Sequence, residues 1–297
     1  MASASNAGKD RKDPQEGATE DRWAHLKTWH QHLLPQHALT ALANLASNSP
    51  LLRRPLIGMF TRLYPVKLAE AERSLNEFIS FDDFFTRSLK PDARPLPANP
   101  DTIVSPSDGL LSRLGPIRKG RIIQAKGRDF SVDELLANSQ WARHFDDGGQ
   151  FATIYLAPHD YHRVHMPLDG RLVGETRVPG RLFSVSSATS QSIDRLYARN
   201  ERMAALFETR YGPVVVVLVA ALLVAGIETV WGDASERRPG RKVRSVAIDP
   251  PIERVRGQEI GRFHWGSTVI VLTPTGAPAW ARDLKAGQRV QLGQALS

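Results

Sequence analysis

The run VVVVLVAALLVAGI, residues 214 to 227, constrains this chain more than any other stretch. Its 14 consecutive apolar residues must leave water, yet a helix that crosses a bilayer needs ~20. Four valines open the run, and β-branched side chains pack better on a pleated strand than on a helix. Gly226 interrupts its far end. The pattern predicts either one long bent strand or two strands covered on both faces, and so a sheet with a substantial core around it.

The rest of the chain agrees with a sheet. Beyond SFDDFFTRSLKPDARPLPANPD, a proline-rich crossing at 80–101, short segments of Val, Ile, Leu and Thr alternate with Gly, Pro and Asp turns. Two stretches echo one another: PSDGLL at 106–111 and PLDGRL at 167–172, each an Asp-Gly turn opening into an apolar strand. The echo points to a duplicated β unit. SVDELLANSQWARHF and ATSQSIDRLYARNERMAALF carry helical spacing, with Ser131 and Ser192 as candidate caps. The expected class is α+β: a β-rich core with short inserted helices.

The chain begins with a polar stretch of mixed charge, 1–22, which is expected to be a disordered lead without the apolar core of a secretory signal. From 23 to 73 the signals turn helical. Leu39, Leu42 and Leu45, then Leu52, Ile57, Phe60 and Leu63, recur at helix-like intervals, while prolines at 35, 50, 55 and 65 divide the region into short pieces. Arg53, Arg54, Arg62 and Lys67 accompany these apolar faces. Such helices either lie in a membrane interface or cap the protein's own core, and one face can serve both ends. Residues 74–297 then form the expected β-rich catalytic domain.

Chemistry is restricted by what is missing. The 297 residues contain no cysteine, which excludes thiol nucleophiles, disulfides and Cys-ligated metals. The formal charge of +8 favours anionic partners. No basic stripe with interleaved aromatics suggests nucleic acid, so an anionic membrane surface carries equal weight among these partners. Three histidines fall together in LAPHDYHRVHMP, at 159, 162 and 165. Zinc ligation, structural hydrogen bonding and acid/base work are all open to them. On a regular strand His162 and His165 project to opposite faces, so sharing a pocket requires a bend or bulge. Asp108, His165 and Ser267 supply the parts of a charge-oriented nucleophile, although no G-x-S-x-G elbow is present.

Taken together, FDDFFTRSLKPDARPL, SPSDGLLSRLG, AKGRDFSVDELLA, LAPHDYHRVHMPLDG, VPGRLFSV, LYARNERMAALFET, GIETVW and GQEIGRFHWGSTVIVL resemble the phosphatidylserine decarboxylases of the long bacterial type. They occur in that family's order over roughly residues 70 to 275. The resemblance implies that Ser267 attacks the carbonyl of Gly266, that the resulting ester is eliminated, and that Ser267 becomes a pyruvoyl group. The products are residues 1–266 and 267–297, a heterodimer of one chain's own pieces. Asp108 and His165 match the residues that activate the serine, with the aspartate orienting the imidazole. His162 matches the histidine associated with decarboxylation, and Ser184 in VPGRLFSV has the place of a substrate-pocket residue. The pyruvoyl ketone forms a Schiff base with phosphatidylserine and accepts the electrons released with carbon dioxide, giving phosphatidylethanolamine.

The same resemblance implies a peripheral enzyme on the cytoplasmic side of the cell membrane, and no metal. Deleting residues 23 to 68 is then expected to weaken liposome binding and spare cleavage. One departure is Trp265, where the bacterial family usually has leucine; it is expected to pack beside the cleaved turn, where crowding can slow cleavage. Two rival readings keep Ser267 intact: a lipid-acting serine hydrolase built on Asp108, His165 and Ser267, and a non-catalytic lipid-surface module.

Overall fold

A computed structural model describes residues 36–297 apart from 126, 147, 223–225 and 234–239. The expected lead at 1–22 and the start of the helical region, 23–35, lie outside the described residues. Helices α1 (Gln36–Asn48), α2 (Arg53–Leu63) and α3 (Phe81–Phe85) come first. Strands β1 (Gly109–Pro116), β2 (Arg121–Ala125) and β3 (Arg128–Ser131) precede α4 (Val132–Leu136) and α5 (Ser139–Ala142). Next come β4 (Gln150–Leu156), β5 (Arg163–His165), β6 (Gly170–Val178), α6 (Ser187–Ser192) and α7 (Leu196–Arg199). The remaining strands are β7 (Arg202–Thr209), β8 (Gly212–Ala220), β9 (Ile227–Thr229), β10 (Arg244–Arg254), β11 (Glu259–Phe263), β12 (Ser267–Thr273) and β13 (Gln288–Val290).

An eight-stranded antiparallel sheet in the order β10-β6-β7-β8-β12-β4-β1-β13 dominates the fold. A three-stranded sheet, β5-β11-β9, and the β2-β3 hairpin accompany it. The class is the expected α+β with a β-rich core. The 214–227 run resolves as two strands: Val214–Ala220 fall in β8, fully buried, and Ile227 opens β9. Each buried valine or leucine of β8 contributes about 1.5–3 kcal/mol, which places β8 and its neighbour β12 at the heart of the molecule. The echoing Asp-Gly stretches open β1 and β6, each one strand in from opposite edges of the large sheet. No helix among the described residues is long and apolar enough to cross a membrane.

Two local expectations need correction. The helical spacing read through RMAALF belongs to β7, whose residues 202–209 pair on both sides, with β6 and with β8 in a tight hairpin; ladder bonds to neighbouring strands override a local helical preference. Ser192 is the last residue of α6, whose N-cap is Ser186, and the residue before α7 is Arg195, at φ 52°. Ser131 does cap α4, in a capping box with Glu134.

The N-terminal helices are docked on the core through α3. Ile57 and Phe60 of α2 pack with Phe78, Phe81, Phe84 and Phe85, and the Phe60 ring meets Phe81, Phe84 and Phe85 edge-on at 5.2 to 6.1 Å. Pro55 is tolerated because it lies in the first turn of α2, where its missing N–H has no partner to lose. Helix α1 turns its polar residues Gln36, Thr40 and Ser47 inward and leaves Leu42 and Leu45 exposed. Leu51, Leu52, Met59 and Leu63 are exposed as well.

Candidate active site around Ser267

Ser267 opens β12, the strand flanked by β8 and β4, opposite Ala220 and Leu156. Its hydroxyl is buried without a hydrogen-bond partner, as are those of Thr268 and Thr273 on the same strand. What sets Ser267 apart is the turn that leads into it. Trp265 has φ +96°, a conformation that costs a bulky L-residue of order 1–3 kcal/mol. A Cβ at Gly266 would lie 4.0 Å from the Leu156 carbonyl oxygen, so packing there does not demand glycine.

The Trp265 ring stacks on Phe85 at 5.4 Å and leans on Phe81 at 5.0 Å, both from α3, with its Nε1 buried and unpartnered. Tryptophan does pack beside the turn, as expected. Trp265 and Gly266 also line a cavity of about 340 Å³ whose other walls are apolar residues of α2, including Met59, Phe60 and Leu63, together with Tyr155 of β4 and the 184–185 segment. Ser184 thus shares a cavity with Gly266. This apolar opening beside a buried hydroxyl is the size of a small-ligand site.

His162 is fully buried, its ring stacked on Phe85 at 4.2 Å, so Phe85 separates it from Trp265. Nε2 donates to the Ala157 carbonyl at 3.1 Å, which leaves the lone pair on Nδ1, an atom with no partner. Burial, with the nearby Arg87 guanidinium second, pushes its pKa down to about 3. His162 is therefore neutral at physiological pH.

His165, at the end of β5, donates from Nδ1 to the Gly257 carbonyl at 2.8 Å, because a carbonyl can only accept. Nε2 consequently holds a lone pair, and the Tyr161 hydroxyl meets it at 3.0 Å. Desolvation lowers the pKa of this imidazole too, against the opposing pull of the Gly257 carbonyl, Glu259 and Asp108. The His165 backbone N–H bonds the Pro106 carbonyl, which brings β5 alongside the turn that carries Asp108.

Asp108 is held by a different partner from the one expected. Arg94 grips its carboxylate with Nε at 2.9 Å and Nη2 at 2.6 Å, and the Leu292 N–H adds a bond of 2.8 Å. Arg94 also bonds Glu70, and these hydrogen bonds raise its pKa against the desolvation that opposes them. No hydrogen bond joins Asp108, His165 and Ser267 to one another in this form of the chain. Asp108 reaches His165 through its field alone, and the Gly257 carbonyl is what orients the imidazole.

The three clustered histidines do not share a site, and no group of three or more potential metal ligands occurs among the described residues. His159 approaches Asp160 at 3.7 Å, whereas His162 and His165 take separate carbonyls. Sequence reasoning missed Tyr161, Gly257, Arg94 and Phe85. Tyr161 stands four residues before His165, but the bond between its hydroxyl and the imidazole is set by the tertiary fold and no local pattern encodes it.

A profile of the phosphatidylserine decarboxylase family matches residues 81–297. The chain is 46% identical over 273 residues to a phosphatidylserine decarboxylase proenzyme of Ectopseudomonas mendocina, covering 90% of this chain and 95% of that one. Similar proenzymes from Xylella fastidiosa and Bordetella avium are 46% and 45% identical, each over 90% of this chain and 92% of theirs. The stretch matched by the profile contains Asp108, His162, His165, Ser184, Gly266 and Ser267. This chain belongs to the phosphatidylserine decarboxylase family, a family of carboxy-lyases.

Proposed function

We propose that this chain is a proenzyme that cuts itself between Gly266 and Ser267, and that the resulting pair of chains, 1–266 and 267–297, decarboxylates phosphatidylserine to phosphatidylethanolamine at a membrane surface. One observation carries the reading: an unbonded, buried serine hydroxyl follows a strained turn beside an apolar cavity that Gly266 and Ser184 both line.

In the first step Ser267 Oγ attacks the Gly266 carbonyl carbon, the C–N bond breaks, and the acyl group passes from nitrogen to oxygen. Loss of the Ser267 α-proton then expels the Gly266 carboxylate, and water replaces the freed nitrogen as ammonia, leaving a pyruvoyl group at residue 267. Ser267 suits this fate, since its hydroxyl has no hydrogen bond to give up. His165 is the base, with its proton fixed on Nδ1 by Gly257 and its lone pair on Nε2. To serve Ser267 the ring must exchange the Tyr161 hydroxyl for the serine. The negative charge of Asp108, anchored by Arg94, favours the imidazolium that forms.

Once present, the pyruvoyl carbonyl supplies an electron sink for the bond that releases carbon dioxide. His162, a neutral ring with a bare Nδ1 stacked behind Phe85, is assigned the proton that returns to the substrate carbon, a role that requires Phe85 to move aside. Ser184 contacts the substrate from the cavity wall. Exposed Leu42, Leu45, Met59 and Leu63 on α1 and α2 seat the enzyme peripherally on the anionic cytoplasmic face of the cell membrane, with the net charge of +8 assisting. The hydrolase alternative draws on the same Asp108, His165 and Ser267 and needs the same exchange of Tyr161 at His165, so the two readings part on whether the chain cleaves.

The test is carbon dioxide release from carboxyl-labelled phosphatidylserine in anionic vesicles, with and without a carbonyl-trapping hydrazine. Release that the hydrazine abolishes is expected. Fatty acid or headgroup hydrolysis without carbon dioxide would replace this reading with the hydrolase.

A further inference from the structure

Three residues ahead of Ser267, the side chain of His264 is buried between two acids. Nδ1 lies 2.9 Å from both carboxylate oxygens of Asp82, and Nε2 lies 3.1 Å from Oε2 of Glu228. Ionised carboxylates only accept hydrogen bonds, and a neutral imidazole carries a single N–H. The arrangement is satisfied on both sides by an imidazolium, the one form with two donors.

The clamp has a mechanical consequence. Asp82 belongs to α3 and Glu228 to β9, so His264 ties the chain just before the scissile bond to two distant elements. The same helix supplies Phe81 and Phe85, which hold the ring of Trp265. Helix α3 therefore grips two successive residues, one by charge and one by stacking, and between that grip and Ser267 lies the turn with φ +96° at Trp265. Strained backbone persists only where its surroundings over-determine it.

We propose that His264, as an imidazolium held between Asp82 and Glu228, is a positioning residue for self-cleavage: it keeps the Trp265–Gly266 turn in the strained form that presents the Gly266 carbonyl to Ser267. The proposal rests on the self-cleavage reading above. Among the described residues, the charged groups facing the ring include Asp82 from α3 and Glu228 from β9, and Arg262 of β11 stands behind Glu228, at 3.8 Å.

The experiment follows cleavage of the full chain after cell-free synthesis, by intact mass at timed intervals, for the wild type, His264→Lys and His264→Gln. Lysine restores a cation and glutamine does not. Wild type and His264→Lys are expected to cleave at similar rates at neutral pH, and His264→Gln about tenfold more slowly or worse, as a misplaced reacting group does. Raising the pH should slow the wild type once the imidazolium is lost, with His264→Lys holding its rate to higher pH.

Equal rates for His264→Gln and wild type would overturn the proposal, as would superimposable pH profiles for wild type and His264→Lys. The profile comparison decides the matter if His264→Gln does not fold. A wild-type chain that never cleaves would instead remove the self-cleavage reading itself.

Discussion

Burying His162 as a neutral imidazole makes the fold sensitive to acid in a way that can be calculated. Its pKa drops from the ordinary 6.5 to about 3 because desolvation disfavours the charged ring. The unfolded chain binds a proton that the folded chain refuses, so this residue's contribution is complete above pH ~6.5 and erodes as the pH falls toward ~3. Between pH 7 and pH 5 the erosion amounts to about 2 kcal/mol. A sound assay uses Ser267→Ala, which stays one chain, in urea unfolding at both pH values. Adding His162→Gln should shrink the pH 7 to pH 5 loss by about 2 kcal/mol. The shift at His165 affects both proteins and cancels in the difference. An unchanged loss would mean that His162 protonates freely in the folded state, and the neutral bare Nδ1 assigned to decarboxylation would have to be abandoned.

Ser267→Ala should give one unbroken, inactive chain whose thermal midpoint stays close to that of an uncleaved control, because the hydroxyl removed bonds nothing; calorimetry and intact mass check both halves. Arg94→Met should cost about 3 kcal/mol or more in urea unfolding, since it strips a nearly buried carboxylate of its cation. Changing Leu42, Leu45 and Leu51, none of which lines the cavity beside Gly266, to serine should reduce co-sedimentation with anionic vesicles severalfold and leave cleavage unimpaired. This is a cleaner perturbation than deleting 23–68, which would pull Phe60 out of the aromatic cluster beneath Trp265.

Much of this molecule was readable in advance where the signal was local. A valine run that could satisfy itself only inside a sheet became β8, Ser131 marked the start of α4, and the family's motifs stood in order along the chain. Legibility failed where distant partners decided. Strand β7 looks helical until β6 and β8 bracket it. Helix α1 has leucines at helical spacing, yet Gln36, Thr40 and Ser47 are the residues turned inward, and Gln36 accepts the Leu182 N–H. Asp108 was matched to His165 through the family resemblance, and the Arg94 guanidinium that bridges its carboxylate and Glu70 has no signature in the local sequence. The His264 clamp spans 182 residues, and no spacing rule reaches that far.

The claim on which everything else depends is that Ser267 ceases to be a serine. Intact-mass spectrometry of the purified protein under denaturing conditions addresses it directly. The account predicts two chains, one ending at Gly266 and a smaller one running to Ser297 that is lighter than a serine-started fragment by one ammonia. A single unbroken chain of 297 residues, or a smaller fragment that still begins with serine, would contradict it.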